Sequence, residues 1–150
     1  MNLIDVLDER LIKIPLLSTT KDEVLEELVD VLAEGKNLSI ADKNSVLEAV
    51  VNRETLGSTG IGKGICIPHA QSESIDNICV VVGVSQQAID FDSPDNLKSK
   101  IFFLVVASTD ASSSHVEVLA SIARSCSSGV FRRMLEQCKD ESEVVQLFSE

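Results

Sequence analysis

The chain reads as an α/β fold in which one mixed β-sheet is covered by helices on both faces, all within a single domain over residues 1–150. Three observations predict it. Capped amphipathic stretches precede and follow a central block of apolar, strand-like runs, the order expected of a sheet wrapped by helices. Two of those runs are continuously apolar, as strands buried on both faces are. A chain of 150 residues is one domain by ordinary size and buries about 68 to 70% of its unfolded surface, enough for a real core.

The elements follow in order. Thr20 with Glu23 makes a capping box ahead of Val24, Leu25, Leu28, Val31 and Leu32 on one helical face, and Gly35 stops that helix. Ser39 with Asp42 starts a second helix, whose apolar side holds Val46, Leu47, Val50 and Val51. It ends before Gly57, with Arg53 in its last turn. Strands are predicted at Ile65 to His69, Ile78 to Val84 and Ile101 to Ala107, each rich in β-branched or large apolar side chains. Leu119, Ile122, Ala123 and Cys126 then mark a third helix up to Gly129, and Phe131, Met134, Leu135 and Cys138 a fourth. A last short helix runs from Glu141 to Phe148. No repeat or linker interrupts the series.

Composition excludes several classes of function. Acidic residues number 24 and basic ones 13, a net charge of −11, so no summed basic field exists to collect nucleic acid or anionic lipid. The longest strongly apolar run, Ile101 to Ala107, is far shorter than the roughly 20 residues that span a bilayer. The opening MNLIDVLDER lacks the extended apolar stretch of a secretory signal. A soluble, cytoplasmic protein is expected, with no nucleic-acid partner and no membrane insertion. Cys66, Cys79, Cys126 and Cys138 form no close pair of the zinc or thioredoxin kind, and each reads as a small buried hydrophobe.

The segment Arg53 to Ala70, RETLGSTGIGKGICIPHA, carries the chemistry. Gly57, Gly62 and Lys63 match the start of the nucleotide phosphate loop, but Gly64 stands where a hydroxyl should hold magnesium. The context is inverted as well, because a helix precedes this loop and a strand follows it. What survives is local: the glycines let backbone amides approach an anion, with Gly60 among them, and Ser58 and Thr59 have hydroxyls to donate. The alternative is a glycine-rich turn between helix and strand.

His69 sits directly behind Pro68, which has no amide donor, so the imidazole is expected to emerge at a strand end. With an unperturbed pKa of about 6.5, histidine offers a free ring-nitrogen lone pair near neutral pH. A histidine hydrogen-bonded for structural reasons at a strand end is the alternative. Ser114 with Glu117 reads as a second capping box, which places His115 in the first turn of the third helix. A helix start favours neutral imidazole and attracts anions, by about 0.3 to 1 kcal/mol at exposed sites. Arg53 can bind two phosphate oxygens at once, although a cation late in a helix also simply complements the dipole. Cys66 and His69 make a CxxH pair, but Pro68 and the lack of further ligands speak against a metal.

At these residues the chain resembles a known family. RETLGSTGIGKGICIPHA is similar to the signature of the enzyme IIA components of the bacterial phosphotransferase system, of the fructose, mannitol and nitrogen-regulatory type. HVEVLASIAR, from His115 to Arg124, resembles that family's later histidine helix, at the family's separation from His69. IFFLVVAS and IDFDS extend the likeness over most of the chain. The resemblance implies a phosphocarrier that is a covalent relay rather than a stand-alone multiple-turnover enzyme, with no metal and no cofactor. It implies that His69 accepts a phosphoryl group from the histidine phosphocarrier protein, itself charged from phosphoenolpyruvate, while Arg53 and His115 stabilise that group. The acceptor implied is either a set of regulatory target proteins or a cysteine on a sugar-specific IIB unit. The regulatory branch is expected, because the chain carries no fused transporter segment and its LGSTGIG and IDFDSPD read closer to that branch. Departures at Lys63, Cys66, Gln71 and the SPDNLKSK stretch touch docking specificity more than chemistry.

Overall fold

The computed structural model of the protein describes residues 3–110 and 112–149, without the side chains of residues 112 and 113. Its centre is a mixed sheet of six strands: β1 (Ile12–Lys13), β2 (Gly60–Gly62), β3 (Ile65–Cys66), β4 (His69–Gln71), β5 (Cys79–Ile89) and β6 (Ser99–Ala107). The order across the sheet is β1-β5-β6-β3-β2, with β4 also beside β6. Strand β6 lies antiparallel to β5 and parallel to β3 and β4.

Alternation along β6 explains the layers. Phe102, Leu104 and Val106 point to one face, where they pack with Val24, Leu25 and Leu28 of α1 (Lys21–Gly35) and Val46 and Val50 of α2 (Ile40–Thr55). Ile101, Phe103 and Val105 point to the other. There they meet Val118 and Ile122 of α3 (Ser112–Ser125), Leu135 of α4 (Gly129–Glu136) and Val144 of α5 (Glu141–Ser149). Each such side chain contributes about 1.5–3 kcal/mol on burial, so removing a ring with no exposed surface, as in Phe103→Ala, costs about 3–5 kcal/mol. Helix α1 starts where expected, on a complete Thr20 and Glu23 capping box, and α2 on a Ser39 side chain that accepts from the Asp42 amide.

Several expectations are corrected. The run Ile65 to His69 is two short strands rather than one, because Pro68 has no N–H to give the ladder. Its register against β6 nevertheless resumes unchanged, with Cys66 opposite Phe102 and His69 opposite Val105, and the Pro68 carbonyl still accepts from the Val105 amide at 2.9 Å. The histidine therefore opens β4 instead of ending a strand. Strand β5 begins one residue later than predicted and runs on to Ile89. Strands β1 and β2 were not foreseen, being too short or too glycine-rich for a period-2 signal. Cys138 is only half-buried, unlike the other three cysteines. Among the described residues no helix is long and apolar enough to cross a membrane.

Candidate functional site

Three elements converge on His69. It is the first residue of β4; Arg53 lies in the last turn of α2, which packs on β4; and His115 lies near the start of α3. Helix α3 begins at Ser112, so Ser114 is inside its first turn and cannot be the N-cap, a correction to the predicted second capping box. His115 still falls at the helix start, where amides without intrahelical partners concentrate positive potential. The two imidazoles meet edge to face, ring centres 5.5 Å apart and planes at 71°.

The rings differ in how they are held. Nδ1 of His69 lies 2.7 Å from the Ile67 carbonyl oxygen. A carbonyl can only accept, so Nδ1 donates the proton of this contact, and in the neutral ring the lone pair is then on Nε2. His115 is 8% exposed, and its Nε2 is buried with no hydrogen-bond partner among the described residues. Burial, and secondarily the neighbouring His69, holds the His115 pKa below its usual value of 6.5, so this ring is biased toward its neutral form.

Arg53, His69 and Val116 line two adjoining cavities. One, of about 370 Å³, is completed by Ala49, Ala70, Gln71 and His115. The other, of about 450 Å³, extends under Ser58, Thr59, Gly60 and Ile61 toward Leu119, Ala120 and Ala123 of α3. Arg53 donates from Nη1 to the Gly57 carbonyl at 2.9 Å, which uses one of its five N–H donors. The mouth is apolar, with Val116 and Ile61 at least half exposed.

The glycine loop does something other than its composition suggests. Gly60–Gly62 is strand β2, and it turns back into β3 through Lys63 (φ 59°) and Gly64 (φ 82°), a two-residue hairpin turn with both central residues left-handed. A Cβ on Gly60 would run into the Ser93 hydroxyl, so the strand packs there because it lacks one. The hydroxyls predicted to face an anion are committed elsewhere. Ser58 Oγ donates to the Phe91 carbonyl at 2.6 Å and accepts from the Gly60 amide, and Thr59 Oγ1 donates to the Glu54 carboxylate at 2.9 Å. Ser58, Thr59 and Gly60 thus line the cavity, with both hydroxyls and the Thr59 and Gly60 amides bonded within the protein.

Glu54 escaped the sequence reading. It is buried at the end of α2, and the signal was present: Val46, Val50 and Glu54 recur every four residues on the buried face, so the carboxylate had to lie inward. Cys66 belongs to the core, its thiol pushed up to about 11 chiefly by burial, which makes it a poor nucleophile or metal ligand.

A partly exposed histidine with a free ring nitrogen, a guanidinium and a second imidazole around one apolar-rimmed cavity suit the handling of a phosphoryl group. The family model described as the phosphoenolpyruvate-dependent sugar phosphotransferase system, EIIA 2, matches residues 5–150. The chain belongs to this family. The fructose-specific EIIABC component of Bacillus subtilis (strain 168) is 30% identical over 150 residues; the match takes in all of this chain but only 23% of that longer protein. The crystal structure of the nitrogen regulatory protein IIA-Ntr from Neisseria meningitidis superposes with a TM-score of 0.87 at 27% identity, covering 97% of this chain and 98% of that one. The complex of mannitol enzyme IIA with phosphorylated enzyme IIB from Escherichia coli contains a chain of the same fold, with a TM-score of 0.80 at 18% identity over 95% and 96% of the two. As an EIIA 2 protein, this chain carries the mixed, helix-covered sheet that its sequence predicts.

Proposed function

We propose that this EIIA protein is a phosphocarrier whose covalent station is Nε2 of His69. The observation that carries the reading is the 2.7 Å contact of His69 Nδ1 with the Ile67 carbonyl, an acceptor that favours Nδ1–H and so a free Nε2 lone pair, in a residue that lines a cavity with Arg53 and His115. In the transfer step that lone pair forms the new N–P bond while the N–P bond to the donor's histidine breaks and its electron pair returns to the donor nitrogen. His69 keeps its Nδ1 proton, and the positive charge that the ring acquires faces the Ile67 carbonyl dipole. Arg53 offers paired donors to the equatorial oxygens, and His115, which lines the same cavity, has a buried Nε2 with unmet hydrogen-bonding capacity. The donor we infer is the histidine phosphocarrier protein of the phosphoenolpyruvate-dependent system, and the setting is cytoplasmic.

A regulatory role, read out through the phosphorylation state, is supported by the likeness to IIA-Ntr over nearly the whole of both chains. A second reading has an observation of its own: the fructose-specific component of Bacillus subtilis is 30% identical over the whole of this chain, which supports passing the group to a IIB cysteine during sugar uptake. Incubation with phosphoenolpyruvate and the upstream carriers should give an acid-labile, base-stable phosphoryl group that is absent in His69→Ala. Label retained by that variant would exclude His69 as the site. Adding a fructose-type IIB unit then separates the branches, because only the transport role predicts rapid discharge to it.

A further inference from the structure

The buried carboxylate beside the site has a connection that leads to the nucleophile. Glu54 accepts three contacts from a single loop residue: the Thr59 amide lies 3.0 and 3.3 Å from its two oxygens, and Thr59 Oγ1 lies 2.9 Å from Oε1. Held in this way, the Thr59 carbonyl accepts the Ile67 amide at 3.0 Å. The Ile67 carbonyl, at the other end of the same residue, accepts Nδ1–H of His69. Pro68, between them, has a fixed φ and no N–H, so a shift of Ile67 is transmitted to the His69 backbone rather than absorbed. On the far side Lys21, the first residue of α1, places Nζ 3.5 Å from Glu54 Oε1 while also lying 3.6 Å from Asp92 and 5.0 Å above the Phe91 ring.

We infer that Glu54 is a positioning residue for His69: through Thr59 and Ile67 it fixes the tautomer that leaves Nε2 bare. The inference rests on the phosphocarrier reading for its functional meaning but not for its structural content. A neutral imidazole left to itself in a peptide prefers the proton on Nε2, the nitrogen that must be free here. Holding the opposite tautomer therefore needs a fixed acceptor: β6 holds the chain on either side of Ile67, and the bond from the Ile67 amide to the Thr59 carbonyl ties Ile67 itself to the loop before β2. Glu54 ties it to the end of α2, one residue from Arg53, so the guanidinium and the nucleophile are set from the same helical turn. Lys21 offsets the charge of a carboxylate that would otherwise repel an incoming phosphoryl group. A carboxylate does this better than an amide, since the substitution Glu54→Gln would turn an N–H toward one of the two donors of Thr59.

The test is a pair of readouts on Glu54→Gln. Long-range proton–nitrogen correlation spectra of nitrogen-labelled histidine at pH 8 report which ring nitrogen bears the proton, with no phosphoryl transfer required. Wild type should show His69 with Nδ1 protonated; Glu54→Gln should show a mixture or the reverse, and phosphoryl transfer should slow by about 10- to 100-fold. Thr59→Val keeps the amide contact and deletes the hydroxyl one, so it should shift the ratio in the same direction by less and serves if Glu54→Gln fails to fold. Thr59→Ser, which keeps both donors, should restore the wild-type spectrum. Lys21→Met added to Glu54→Gln removes the ammonium that has lost its Glu54 partner and keeps only Asp92; recovery of the wild-type tautomer in that double variant would overturn the inference, since charge imbalance would then be the cause. An unchanged tautomer in folded Glu54→Gln or Thr59→Val would also overturn it. A tautomer that shifts in Glu54→Gln while the wild type itself accepts no phosphoryl group would support the positioning role and sink the phosphocarrier reading instead.

Discussion

The two histidines of the site share a cavity and differ in nearly everything else. His69, on a strand, has Nδ1 bonded to a carbonyl that the Glu54 network holds in turn, so its wall of the cavity is built of satisfied groups. His115, on the opposite wall at a helix start, keeps Nε2 buried and unpartnered among the described residues, at a position where such a group costs about 1–3 kcal/mol. The first ring is fixed by a bond to the fold, and the second has a ring nitrogen that the described residues leave unbonded. A protein that carries a group transiently needs both: a fixed attacking nitrogen, and a stabilising group whose best state appears when the cargo arrives.

The largest expected effect removes the fixed wall outright. His69→Asn should abolish phosphoryl acceptance while leaving stability nearly unchanged, as phosphorylation gels and thermal melts would show; comparable labelling through His115 would erase the distinction between the rings. Arg53→Lys comes next. It keeps the charge and loses the planar, paired donors, so transfer should fall by about 100-fold with little change in melting. A smaller loss, within a factor of a few, would reduce Arg53 to a dipole-complementing cation at the end of α2.

His115→Phe sharpens the contrast because its two effects should have opposite signs. Replacing the orphaned imidazole with an apolar ring removes a buried polar atom that lacks a partner, so unfolding in urea should show a gain of about 1 kcal/mol. Transfer should slow, by about 10-fold, because the stabilising donor is gone. A variant that lost stability instead would show that His115 is held by the fold and is not waiting for cargo.

How much of this was readable from the residues depended on whether the signal was local. The caps at Thr20 and Ser39 and the 3.6-residue stripes behind them placed α1 and α2 within a residue or so, because a cap is satisfied by atoms three positions away. His69, Arg53 and His115 were legible as chemistry, while their meeting was not, since it depends on α2 packing on β4 and α3 on β6, neighbouring strands of one sheet. Strand β2 was hidden by its glycines, which look like a loop until β3 and the Ser93 hydroxyl are placed beside it. For the same reason Ser58 and Thr59 read as free donors, when their acceptors, the Phe91 carbonyl and Glu54, become neighbours only on folding. Glu54 could have been found by extending the Val46 and Val50 stripe one more turn.

The smallest effect tests the open wall most directly, through pH. Burial lowers the His115 pKa from 6.5 in the folded protein, with a smaller contribution from His69, so the unfolded chain binds the proton more readily than the folded one does. The associated stability is present above the ordinary value of 6.5 and is lost as pH falls through the lower, folded value. Urea midpoints should therefore decline between about pH 7.5 and pH 5.5, and His115→Phe should lose less over the same interval; equal declines would remove His115 as the source. Phosphorylation should act in the opposite direction. An anionic phosphoryl group on His69 stabilises a protonated His115, so nitrogen-detected titration of His115 should move upward in the phosphorylated protein and return when the group is discharged. That reversal would separate a ring kept neutral only by its burial from one whose missing partner is the cargo itself.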